Sequence, residues 1–201
     1  MRILLLLLCI VSFNAEETKP CCSVESEEES VLPSSSLYQV PVGIKDVDGK
    51  KLDLEQFYGR PVVISMFFTS CISICPQIAK DMLRLEAEAK KLGAVDFDLV
   101  LVSMDVKNDN PKALKAFAKR NQLENSRIQL FTAQTSADAQ SLSQLLELPY
   151  RLQKDGSYGH ASGLILMDSE GQFVMKEPKL GADPKEMAEA IARLLRSKSD
   201  S

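Results

Sequence analysis

The chain has 201 residues, 45% of them apolar and 26% charged, which is enough for one domain with a substantial core and too few for two comfortable ones. Its formal net charge of −4 excludes the strongly basic surface that nucleic-acid binding requires.

Residues 1–15 begin with one basic residue, Arg2, followed by a mostly apolar run over 3–13 and then Asn14-Ala15. This is the pattern of a secretory signal peptide, and the run is too short to span a bilayer fully. Export to the periplasm or another extracytoplasmic space is therefore expected. There, thiols are oxidised unless a metal or a reducing partner protects them. Residues 16–36 are acidic and serine-rich with little to bury, and read as a disordered linker. The linker holds the adjacent pair Cys21-Cys22, which is open to three readings: incidental, copper-collecting or electron-shuttling. A disulfide between neighbouring cysteines would be strained and easily reduced. The folded domain is expected over 37–201.

Val40, Val42, Ile44 and Val47 alternate up to Asp48-Gly49, and the chain resumes at Leu52, which predicts a hairpin over 38–53. Asp53 and Gln56 have the spacing of a capping box for a short helix that ends near Gly59. Residues 61–68 are β-branched and aromatic, as a buried strand should be. Directly after them come Cys71 and Cys75, then Pro76 and a helical pattern of Ile78, Met82, Leu85, Ala89 and Leu92 that stops at Gly93. The two thiols are thus expected in a strand-to-helix loop with Cys75 flanking the helix start, since proline favours the first helical position. Unpaired N–H groups and the helix dipole would favour thiolate there, the form that binds metals and attacks disulfides. The spacing alone also admits a structural disulfide.

A second buried strand is predicted over 97–104, so strand, helix and strand imply a parallel pair. Asn110 and Pro111 then open a helix with Leu114, Phe117 and Ala118 on one face. A short strand over 128–131 and a helix capped by Ser136 follow, with Leu142, Leu145 and Leu146 inward. Residues 154–160 form a polar loop that ends in His160, the single histidine of the chain. Residues 164–167 and 172–175 make a late hairpin, and Asp183, Pro184 and Glu186 start a last helix that buries Met187, Ile191 and Leu194. The order matches an α/β thioredoxin-like fold, a mixed sheet with helices on both faces. In such folds ligands sit beyond the carboxyl ends of the parallel strands, where Cys71 and Cys75 lie.

Three patterns in order resemble the Sco/SenC family of copper proteins that help assemble the copper centre of cytochrome c oxidase. They are Thr69-x-Cys71-x-x-x-Cys75-Pro76, Ser103-x-Asp105-x-x-x-Asp109-x-Pro111, and the histidine before the late hairpin, His160. The resemblance covers roughly residues 37–195. It implies a copper ion held by Cys71, Cys75 and His160, with Asp105 close to the site in a supporting role. It also implies a recipient, the copper-site subunit of cytochrome c oxidase or another exported cuproenzyme, and a thiol reductase as a further partner. Three features depart from the family pattern. Many members have a membrane-spanning anchor, whereas this chain has the short leader. Ile72 and Ser73 stand where proline and aspartate are common, and Gly159 where an aspartate often precedes the histidine.

The donor set agrees with copper on its own terms. Thiolates select Cu(I), and an imidazole suits either copper oxidation state, whereas zinc in a structural site usually takes a fourth protein ligand. Met66 and Met104 are expected in the core, not at the metal. The competing reading is a thiol-disulfide oxidoreductase in which Cys71 or Cys75 attacks a partner disulfide and the other resolves the mixed intermediate. That chemistry has no need of His160. A thiol peroxidase is more distant, because the loop around Cys71 contains no arginine.

Overall fold

The computed structural model describes residues 32–154 and 158–199. The leader, the Cys21-Cys22 pair, most of the linker and the turn at 155–157 lie outside them.

The first described segment is more ordered than its composition suggests. Residues 32–36 pack on the domain: Ser36 is buried, accepts the Tyr38 N–H, caps a 3-10 turn (Leu37–Gln39) and donates to the Glu170 carbonyl at 2.5 Å. Tyr38, expected in a strand, therefore belongs to this turn. Its ring lies where a side chain at Gly171 would collide with it, 2.7 Å from an added Cβ. Glycine at 171 also supplies the positive φ of +77° that the turn there requires.

The expected hairpin is present in shortened form as β1 (Gly43–Lys45) and β2 (Lys51–Asp53), paired antiparallel. Asp53 makes no side-chain cap, and the short helix after it is a 3-10 turn, Leu54–Phe57. Next come β3 (Val62–Phe67), α1 (Ile74–Lys91), β4 (Asp98–Ser103), α2 (Pro111–Arg120), β5 (Ile128–Ala133) and α3 (Ser136–Leu145). Asn110 caps α2 as its position predicted, accepting the Ala113 N–H at 3.1 Å. The cap of α3 is Thr135, one residue earlier than expected, because Thr135 and Asp138 complete a reciprocal capping box. After α3 come β6 (Tyr150–Leu152), β7 (Tyr158–His160), β8 (Leu164–Met167), β9 (Phe173–Glu177) and α4 (Lys185–Ser199).

Seven strands form one mixed sheet in the order β2-β1-β5-β4-β3-β8-β9. The strands β3, β4 and β5 are parallel to one another, while β8 pairs antiparallel with β3. Strands β9, β8, β3 and β4 with α1 and α4, which pack on each other, form a thioredoxin-like core. Every residue of β3 and β4 is buried, so both faces of the central sheet are covered, as parallel strands require. Phe67 of β3 packs on Phe117 of α2 with ring centroids 4.7 Å apart. Met66 and Met104 are buried core residues, as expected from their strands. Strands β6 and β7 form a separate two-stranded ribbon, so Tyr158–His160, expected as the end of a polar loop, is a strand. Among the described residues no helix is long and apolar enough to cross a membrane.

Candidate metal centre

The apolar run of β3 ends at Phe67, and a turn closed by the Cys71 N–H on the Phe68 carbonyl carries the chain to α1. The helix begins at Ile74, two residues before Pro76, so Cys75 lies inside its first turn instead of flanking it. Proline is tolerated there because the first N–H groups of a helix have no intrahelical acceptor in any case.

This shift reverses the roles expected of the two sulfurs. Ser73 occupies the N-cap without a side-chain cap, and the Cys71 sulfur takes over, accepting the Cys75 N–H at 3.4 Å. Burial disfavours the Cys71 thiolate. The Cys75, Ser73 and Ile74 N–H groups and the Cys75 side chain outweigh that effect, and the net shift of its pKa is downward. Cys75 is fully buried, and its sulfur faces the end of β3, where it receives the Phe68 N–H at 3.5 Å. Burial pushes its thiol up, and the neighbouring Cys71 adds to the rise. With metal absent and both cysteines reduced, iodoacetamide at neutral pH should modify Cys71 at least ~10-fold faster than Cys75. Peptide mass spectrometry of a quenched time course reads this directly, and equal rates would contradict the asymmetry.

His160 reaches the same place from β7. Its Nδ1 lies 2.9 Å from the Ala161 carbonyl, which makes Nδ1 the protonated nitrogen and leaves the Nε2 lone pair free. Nε2 is 3.9 Å from the Cys75 sulfur. The Cys71, Cys75 and His160 donor atoms all lie within 4.8 Å of one another. A metal about 2.3 Å from sulfur and about 2.0 Å from nitrogen would hold its ligands roughly 3.5 to 4 Å apart, so small side-chain adjustments close this set on an ion. No other group of three such residues is found among the described residues. Both cysteines are buried, Cys75 fully, His160 is half-buried, and Ile72 in the same loop is 90% exposed.

The two aspartates of the β4–α2 loop divide the support between them. Asp105, expected near the metal, bonds none of the three donor residues. Its carboxylate accepts twice from the Asn108 amide, at 3.0 and 2.8 Å, and faces the Tyr158 hydroxyl. Asp109, the second aspartate of the Ser103-x-Asp105-x-x-x-Asp109 pattern, holds the cysteine loop itself. It accepts the Thr69 N–H at 2.8 Å, the Thr69 hydroxyl at 2.5 Å and the Ser103 hydroxyl. Arg120, distant in sequence, donates to the Thr69 carbonyl at 2.6 Å. An arginine thus reaches the loop after all, though at Thr69 and not at a sulfur.

The SCO1/SenC family model matches residues 36–196. The chain belongs to the SCO1/SenC family. A Bacillus subtilis SCO1 protein homolog is 28% identical over 142 residues, covering 68% of this chain and 72% of the relative. Among solved SCO1/SenC structures, Arabidopsis thaliana ScoI with copper bound superposes with a TM-score of 0.68 at 20% identity, covering 79% of this chain and 98% of that one. BsSco superposes with a TM-score of 0.66 at 21% identity over 81% of this chain and 95% of its own. It is described as having a disulfide switch and as one of the cytochrome c oxidase assembly proteins of the family. At these identities the structural likeness establishes the thioredoxin-like fold.

Proposed function

We propose that this protein is an exported copper carrier that binds one copper ion through Cys71, Cys75 and His160 and passes it to a cuproenzyme, the copper-site subunit of cytochrome c oxidase being the foremost recipient. The observation that carries this reading is the convergence of one imidazole lone pair and two thiols at the carboxyl end of β3, from two stretches distant in sequence, the β3–α1 connection and β7. The copper-bound ScoI relative and the oxidase-assembly role of BsSco support it. Two thiolates suit Cu(I), and the imidazole extends the site to Cu(II). Three protein donors leave a coordination position for an incoming ligand, which binds before an outgoing one departs, so the ion passes between proteins without being set free. Export rests on the leader at 1–15, which would tether the protein at a membrane if it is retained.

The inequality of the two thiols favours a second reading, a thiol-disulfide oxidoreductase. Cys71 would be the attacking thiolate and Cys75 the resolving one, and a thiol reductase would restore the dithiol. Copper titration of the reduced chain separates the readings, with metal content and sulfur-to-copper charge transfer followed in the parent and in a Cys21→Ser/Cys22→Ser variant. One equivalent in both is the expected result. Absence of copper binding together with ready disulfide exchange would overturn the carrier reading.

A further inference from the structure

We infer that Tyr158 is a positioning residue for His160, its ring latching the β6–β7 ribbon so that Nε2 faces the two thiols; this rests on the reading that Cys71, Cys75 and His160 hold one copper ion. The ribbon has no ladder hydrogen bonds to the seven-stranded sheet, and each of its strands is three residues long. Two short strands alone are marginal, so side chains must fix where the ribbon lies. Residues 158 and 160 project from the same face, because side chains alternate along a strand. On that face the Tyr158 ring packs on Phe68 with centroids 5.2 Å apart and on Tyr150 at 5.8 Å. Tyr150 is itself the cross-strand partner of His160.

Phe68 is the residue that ties this contact to the metal centre. Its N–H points at the Cys75 sulfur, and its ring meets the His160 imidazole at 5.6 Å in an edge contact. Tyr158 thus connects the histidine strand to the residue that already orients one thiol. Without its ring the ribbon is no longer held against Phe68, so neither the Ala161 hydrogen bond nor the Phe68 edge contact keeps the imidazole in one orientation, and only the ribbon pairing remains. The thiols keep their own support from Asp109 and α1. Loss of Tyr158 should therefore separate His160 from the site and leave the dithiol intact.

The test compares Tyr158→Ala and Tyr158→Phe with the parent and with His160→Ala, in the full chain. In Tyr158→Ala, Cu(II) affinity should fall ~10-fold or more, with the Cu(II) electron paramagnetic resonance and charge-transfer spectra moving toward those of His160→Ala. Cu(I) affinity, measured by chelator competition, should stay within ~3-fold, because it depends on the thiolates. Tyr158→Phe keeps the ring and should restore the parent spectra. Nitrogen-15 shifts of the imidazole in the metal-free protein give an independent readout, unambiguous because the chain has one histidine. The parent should show a single Nδ1–H tautomer, and Tyr158→Ala an averaged one. Parent-like spectra and tautomer in Tyr158→Ala, or an equal loss in Tyr158→Phe, would overturn the proposal. A parent that binds no copper would instead overturn the carrier reading, while the metal-free nitrogen shifts would still decide whether Tyr158 positions His160.

Discussion

His160→Ala should bind Cu(I) within about tenfold of the parent while losing Cu(II) affinity by more than about 100-fold, whereas Cys75→Ser should lose both by more than about 100-fold. The difference follows from the chemistry of the donors. Two thiolates satisfy a soft, low-coordinate Cu(I) ion, so removal of the imidazole takes away a ligand that Cu(I) can do without. Cu(II) needs the harder nitrogen, and only His160 supplies one here. Removal of the Cys75 sulfur leaves one thiolate and one imidazole, too few donors for either ion.

The same variants separate carrier from oxidoreductase. The His160 imidazole meets the Cys75 sulfur and not the attacking Cys71 sulfur, so His160→Ala should keep parent-like exchange with a small disulfide. Cys75 is fully buried, and a serine there adds a destabilisation of about 1 kcal/mol, so thermal unfolding should accompany the titrations. Parent-like Cu(II) affinity in His160→Ala, measured by competition with a chelator of known affinity, would remove the histidine from the site. It would return the chain to a two-thiol reading.

The sequence predicted the thiol loop because an apolar run ending at two cysteines and a proline has few structural interpretations. It did not reveal which sulfur caps the helix. Pro76 fits any first-turn position, and Ser73 and Ile74 carry no start signal, so the helix could begin two residues early and give Cys71 the N–H groups assigned to Cys75. The ribbon was hidden by length, since three-residue strands around a polar turn give almost no periodicity. A sharper signal was present: Tyr150 and Leu152, then Tyr158 and His160, alternate at period two on either side of the loop. The Ser103-x-Asp105-x-x-x-Asp109 pattern marked the right loop. Which carboxylate meets Thr69 depends on the parallel pairing of β3 with β4, which sets Phe67 beside Ser103 and so brings the two loops together. Spacing along one segment carries no record of that.

Asp109 is where that long-range pairing has its largest expected consequence. Asp109→Ala should destabilise the domain by about 3 kcal/mol, because it strips the acceptor from three donors at a buried position: the Thr69 N–H, the Thr69 hydroxyl and the Ser103 hydroxyl. Asp109→Asn should cost no more than about 1 kcal/mol. Its amide oxygen can accept from the Thr69 N–H and Ser103, and its amide nitrogen can donate to a Thr69 hydroxyl turned around to receive it. The two variants also differ from the parent in pH dependence. Burial holds the Asp109 carboxyl above its ordinary value, against the three hydrogen bonds that lower it, and the Asp105 charge adds to the rise. A carboxyl raised on folding contributes stability that is fully present below its unfolded-state pKa and is lost as pH rises through its folded-state value. The parent should therefore gain on Asp109→Asn as pH falls from neutrality toward the ordinary carboxylate pKa, and urea unfolding midpoints across that range measure the difference. A constant difference would mean that Asp109 titrates alike in the folded and unfolded chains. If Asp109→Ala were also as stable as Asp109→Asn, the carboxylate would not be what holds Thr69, and with it Cys71, at the end of β3.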